Sequence, residues 1–113
     1  MAETYQIIVA NTAKKDINDI LDYLQENVSH QEAVDTRQAI LSAIRELETM
    51  PYARSPVKES IKPNKPITLR QIVAKKVYRI IYRIEEVAKD VVVVRVIHVK
   101  RGKDYVKRAI RSL

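Results

Sequence analysis

The stretch that decides the fold is LRQIVAKKVYRIIYRIEEVAKDVVVVRVIHVKR, residues 69–101. Valine, isoleucine, tyrosine and arginine dominate it. Runs of that kind bounded by polar residues predict strands. Three are expected, over Thr68–Ala74, Val77–Ile84 and Val91–Lys100. Glu85–Asp90 would turn between the second and third. Lys75-Lys76 would turn between the first and second, although neither lysine favours the positive φ that a tight hairpin demands. Strand side chains alternate between faces. Tyr78, Ile80, Tyr82 and Ile84 therefore share the face better suited to a core. Val77, Arg79, Ile81 and Arg83 share the other. In the third strand Arg95, Ile97, Val99 and Arg101 alternate with Val94, Val96, His98 and Lys100. In the first, Arg70 alternates with Gln71.

Guanidinium groups are planar donor forks that keep their charge at any cellular pH, which suits phosphate. Arg70, Arg79, Arg83, Arg95, Lys100 and Arg101 are accordingly the candidate target- or phosphate-contacting residues. The open face would also keep Ile81, Val93 and Ile97, and an exposed apolar patch predicts a protein cover. His98 has an unperturbed pKa near neutrality and is a candidate acid or base; a structural strand histidine is the alternative. Tyr105 either aims a phenol at a reacting proton or anchors a terminal helix.

Outward from this stretch the chain reads as scaffold. Tyr5–Ala10 is a short β-rich run. Asn11 and Thr12 offer N-cap side chains. Ala13, Ile17, Ile20, Leu21, Leu24 and Val28 then recur at helical spacing, with Asp16, Asp19, Asp22 and Glu26 mostly off that stripe. Ser29 and Glu32 fit a capping box that restarts the helix, and Ala33, Val34, Ile40, Leu41, Ile44 and Leu47 form its apolar face. Pro51 ends it. His30 is a solvated residue at the cap. Residues 51–67 hold all four prolines, with Arg54, Lys58, Lys62 and Lys65, and form either a basic flap or a solvated connector. After the single glycine, Gly102, residues Tyr105–Leu113 can close as a helix, with Val106, Ala109, Ile110 and Leu113 on one face. The expected fold is α+β and a single domain over residues 1–113. It comprises an N-terminal strand, a helical hairpin, then a three-stranded antiparallel meander (β-α-α-β-β-β) and a short C-terminal helix.

The 113 residues carry a formal net charge of +7, unevenly placed. Residues 1–50 hold four Lys/Arg and nine Asp/Glu, a net of −5; residues 51–113 hold seventeen and five, a net of +12. A basic half of that strength points to a polyanionic partner. With no cysteine there is neither a disulfide framework nor a thiolate metal site. Two distant histidines without spaced carboxylates make no metal set, and no glycine-rich phosphate loop or Ser/His/Asp arrangement occurs, so no cofactor is expected. Nothing is long enough to span a bilayer and the start does not read as a signal peptide, so a cytoplasmic protein is expected.

Three groups of residues bear a family resemblance. Arg70 begins one strand; Tyr78-Arg79-Ile80-Ile81-Tyr82 forms the next; His98-Val99-Lys100-Arg101 ends the last. Upstream, Ala13–Tyr23 carries an Ala-x-x-Asp-Leu-x-x-Ile-x-x-Tyr type of helix, and Leu47 with Pro51 a Leu-x-x-x-Pro helix end. Together these resemble the RelE/ParE superfamily, the toxin halves of bacterial type II toxin–antitoxin systems, often labelled plasmid stabilisation proteins, and closer to ParE-like members. The resemblance implies a cognate acidic antitoxin in a heteromeric complex. It also implies one of two targets: DNA gyrase for ParE-like members, which are not enzymes, or the ribosome and its mRNA for RelE-like endoribonucleases. On the ribonuclease alternative Arg79, Arg101, His98 and Tyr105 would be catalytic. Ile72 stands where that pattern has a second basic residue, and Tyr105 departs from the spacing of the C-terminal tyrosine.

Overall fold

The computed structural model describes residues 4–57 and 68–111. Its elements are β1 (Gln6–Val9), α1 (Asn11–Asn27), α2 (His30–Glu46), a 3₁₀ turn (Pro51–Ala53), β2 (Arg70–Ala74), β3 (Tyr78–Glu85), β4 (Asp90–His98) and α3 (Lys103–Arg111). This is the expected α+β order with its short C-terminal helix. The strands form one sheet in the order β1-β4-β3-β2. β2, β3 and β4 are an antiparallel meander. β1 lies parallel to β4 at the far edge, from Gln6 opposite Asp90 to Val9 opposite Val93. The basic-flap reading of Lys58, Lys62 and Lys65 falls outside the described residues.

α1 and α2 cover one face of the sheet. Ala13, Ile40, Ile44 and Leu47 meet Ile72, Ile80, Tyr82, Val91, Val93 and Val96 in the larger core. The Tyr/Ile side of β3 is thus the packed one, as alternation requires. The opposite face is not open. Val106, Ala109 and Ile110 of α3, with Val57 and Leu69, bury Ile81, Val92, Val94 and Ile97. The apolar patch expected to await a partner is covered by the chain's own C-terminal helix.

Simple alternation fails in β4. Ile81 pairs with Arg95 but Tyr82 pairs with Val93, so Val94 is an extra residue and a β-bulge. Before it the odd-numbered residues face α1 and α2; after it the even-numbered ones do. Val93 therefore sits in the larger core with Val91 and Val96 rather than beside Ile97. The start of α1 satisfies the polar groups the bulge frees. Thr12 Oγ1 donates to the Val94 carbonyl at 2.8 Å, and the Asp16 carboxylate accepts from Val96 N at 2.9 Å. Thr12 is hence a bulge ligand and not a helix cap; the N-cap residue is Ala10, whose N–H donates to Val93 O at 2.9 Å.

At the helix junction Ser29 Oγ accepts from Glu32 N at 3.0 Å, the expected half of a capping box. The other half is absent because Glu32 turns to Lys75 Nζ at 2.6 Å. α2 stops at Glu46, before Pro51. Tyr82, fully buried, donates to the Pro51 carbonyl at 2.6 Å and so ties the 3₁₀ turn to the sheet. The β2–β3 turn closes through Val77 N and Ala74 O at 3.0 Å, with Lys75 at φ 54° and Lys76 at φ 59°. Two successive left-handed residues define a type I′ turn. The lysines adopt what they disfavour because the strand twist selects that turn.

Candidate functional site

The β-bulge and the shortness of β1 shape a concavity beside β4. β1 reaches only as far as Val93, so the last half of β4 runs on without a strand on that side. α1 leans across the gap. Between them lies a cleft of about 670 Å³, lined by Ile20, Tyr23 and Leu24 of α1, by Tyr78 and His98, and at its mouth by Lys100, Arg101 and Tyr105. Its walls are largely apolar and aromatic; Asp16 and Asp19 line it on the α1 side, and its rim is cationic on the β4 side.

His98 lies beside Tyr78, ring centroids 5.5 Å apart and nearly perpendicular. Burial pushes the Tyr78 phenol above its usual range. Lys100 N–H donates to His98 Nδ1 at 3.0 Å, which places the proton of the neutral ring on Nε2. His98 thus offers the cleft a donor. Arg101 stacks over the Tyr105 ring at 4.7 Å, a cation–π contact. Three of the four residues named for a ribonuclease, His98, Arg101 and Tyr105, therefore share one cleft. The fourth does not point there. Arg79 is opposite Ile97 in the ladder, on the α3 face, and its Nε donates to Gln71 Oε1 at 2.6 Å.

The remaining sheet arginines are spread out and engaged. Arg95 makes a two-pronged contact with Asp16, Nε to Oδ2 at 2.7 Å and Nη2 to Oδ1 at 3.0 Å, with side chains only 16% and 15% exposed. Asp16 holds the Arg95 guanidinium above its ordinary pKa. Arg83 meets Glu85 at 3.0 Å. Arg70 donates to the Arg54 carbonyl at 2.6 Å and lies 5.3 Å over the Tyr52 ring. Strand alternation alone offered no sign of these engagements.

A second cluster was not legible in the sequence. The Glu86 carboxylate, in the β3–β4 turn, accepts from Tyr52 Oη at 2.7 Å and Tyr5 Oη at 3.0 Å, and pairs with Lys89. Lys89 foremost, then the two phenols, hold its carboxyl down at about 2. The role of Asp16 at the bulge was not legible either, since the helical spacing places it only off the apolar stripe. The only available signal was its place one turn after Thr12, on the side that meets the bulge. Among the described residues no cluster of histidines and carboxylates has the makings of a metal site.

The helical hairpin and the C-terminal helix thus lie on opposite faces of one small sheet. The family described as "ParE toxin of type II toxin-antitoxin system, parDE" matches residues 7–102, and the chain belongs to it. Among solved structures it resembles a chain of the chromosomal ParDE toxin–antitoxin system from P. aeruginosa. That match has a TM-score of 0.67 at 15% identity, over 86% of this chain and 98% of that one. It also resembles a chain of the RelBE2 toxin–antitoxin complex from Mycobacterium tuberculosis, with a TM-score of 0.56 at 18% identity, over 84% and 98%. At these identities the likeness is one of fold. No curated protein matches the sequence at a significant level.

Proposed function

We propose that this protein is a ParE-like toxin that arrests growth by binding DNA gyrase in the cytoplasm, and that a cognate acidic antitoxin neutralises it in a heteromeric complex. One observation carries the choice of a binding mechanism. The residues a ribonuclease would need do not converge, since Arg79 and His98 lie on opposite faces of the sheet. General-base action at His98 Nε2 would further require moving the ring proton to Nδ1, the atom that accepts from Lys100 N–H. Family membership supports the same reading. The cleft suits the antitoxin: its apolar and aromatic lining takes side chains of a segment that folds on binding.

The test is induction of this chain alone. Gyrase-linked DNA breaks with lost supercoiling and intact mRNA ends are expected. Normal supercoiling during arrest overturns the gyrase reading. A second reading, ribosome-dependent mRNA cleavage, draws on the meeting of His98, Arg101 and Tyr105 in one cleft. New mRNA ends that disappear in His98→Ala would establish it.

A further inference from the structure

Among the described residues several exposed cations meet no carboxylate; Lys14, Arg37, Arg45 and Lys76 lie apart on α1, α2 and the β2–β3 turn, whereas one further group is contiguous. Lys15, Arg54, Lys75, Arg83, Lys89 and Arg95 each meet a carboxylate within 4 Å. Lys100, Arg101, Lys107, Arg108 and Arg111 are exposed and meet none among the described residues. These five follow one another along the end of β4 and the outer face of α3. Lys107, Arg108 and Arg111 stand at i, i+1 and i+4, on the side opposite the buried Val106, Ala109 and Ile110. The helix dipole accounts for cations in the last turn, such as Arg108 and Arg111. It gives no reason for Lys100 and Arg101, which precede the helix.

We infer that the outer face of α3, continued by Lys100 and Arg101, binds the phosphodiester backbone of a nucleic acid. Its composition selects that partner over an acidic protein segment. Val106, Ala109 and Ile110 of α3 are turned inward, Tyr105 is half-buried under Arg101, and of the exposed large hydrophobic residues only Val99 adjoins the stripe in sequence. A protein interface needs an apolar centre, whereas phosphate contact is ionic and indifferent to one. The sheet arginines, first suited to phosphate by their alternation, are engaged elsewhere, and α3 displaces that role to its own surface. Arg101 on Tyr105 also presents a flat, charged stack at the end of the stripe.

The inference goes beyond the gyrase reading and adds a nucleic-acid contact to it. The binding itself requires no toxicity: a chain that binds nucleic acid without arresting growth would overturn that reading and leave this one standing. The experiment is fluorescence anisotropy of the purified full chain with a short labelled DNA duplex and with a labelled single-stranded RNA, across a salt series. The slope of log affinity against log salt should be about −0.9 per phosphate contact for the duplex and about −0.7 for the single strand, which separates the two sources. K107Q/R108Q/R111Q should keep its circular dichroism and melting curve, bind at least about tenfold more weakly, and flatten the duplex slope by about 2 to 3. Arg101→Gln alone should flatten it by about 0.9. Arg83→Gln and Lys15→Gln, whose parents are already paired, should leave the slope unchanged. Absence of binding at low salt overturns the inference. So does an unchanged slope in the triple variant, or competition by polyglutamate as strong as by nucleic acid.

Discussion

At the scale of single residues, Asp16 does the most. It pairs with Arg95 and caps Val96 N at the bulge, both in a partly buried setting. Removing one partner of such a pair leaves a desolvated charge, which costs about 3 kcal/mol. Asp16→Ala should therefore lower unfolding free energy by about that amount in denaturant titration. Asp19→Ala breaks only the exposed pair with Lys15 and should cost under about 0.5 kcal/mol. Tyr82→Phe is a second test. It strands the Pro51 carbonyl, and leaving a buried acceptor unpaired costs about 1–3 kcal/mol. Burial already raises the Tyr82 phenol to about 12, so the effect should not vary with pH in the neutral range.

At the scale of elements, the turns and the bulge separate what sequence can reveal from what it cannot. The meander followed from periodicity, because Tyr78, Ile80 and Tyr82 differ plainly from Arg79 and Arg83. Val91–Val94 carries no such contrast, so nothing in it marks Val94 as the extra residue. The expected open face inherits that blindness: Ile81 and Ile97 share it as alternation requires, but Val93 lies on the other. The β2–β3 turn shows the converse, a poor local signal overridden by strand pairing. A non-glycine residue in the left-handed region costs about 1 kcal/mol. Lys76→Gly should then stabilise the fold by about 0.5–1 kcal/mol, read as a raised denaturation midpoint. Lys75→Gly should gain less, because it gives up the contact with Glu32.

At the scale of the molecule, the charge asymmetry visible in the sequence is partly cancelled by folding. The acidic hairpin supplies Asp16 to Arg95, Glu32 to Lys75 and Glu46 to Arg54 across the interface. Composition could say that half the chain is basic but not which cations would stay unmatched, since that depends on which surfaces meet. The same joinery gives an acid-sensitive point. Glu86 holds together β1, the 3₁₀ turn and the β3–β4 turn through Tyr5, Tyr52 and Lys89. Its folded pKa of about 2 lies below its ordinary 4.5, so its contribution is complete above 4.5 and fades as pH falls toward 2. Melting temperature measured against pH should fall over that window in the parent and fall less steeply in Glu86→Gln. An identical acid limb would show that the cluster adds nothing.

The parallel pairing of β1 with β4 also governs when the protein comes into being. Gln6 must find Asp90, and the first turn of α1 must find the bulge at Val94, so contacts that complete the fold span most of the chain. Such long-range closure is slow, and a ribosome delivers the two ends many seconds apart at about 5–20 residues per second. Until β4 emerges, β1 has no neighbour and α1 no bulge to cap. A nascent toxin is thus an unfinished one for most of its synthesis. A chain released after residue 89 should show no amide-exchange protection in β1 and be harmless to the cell that makes it.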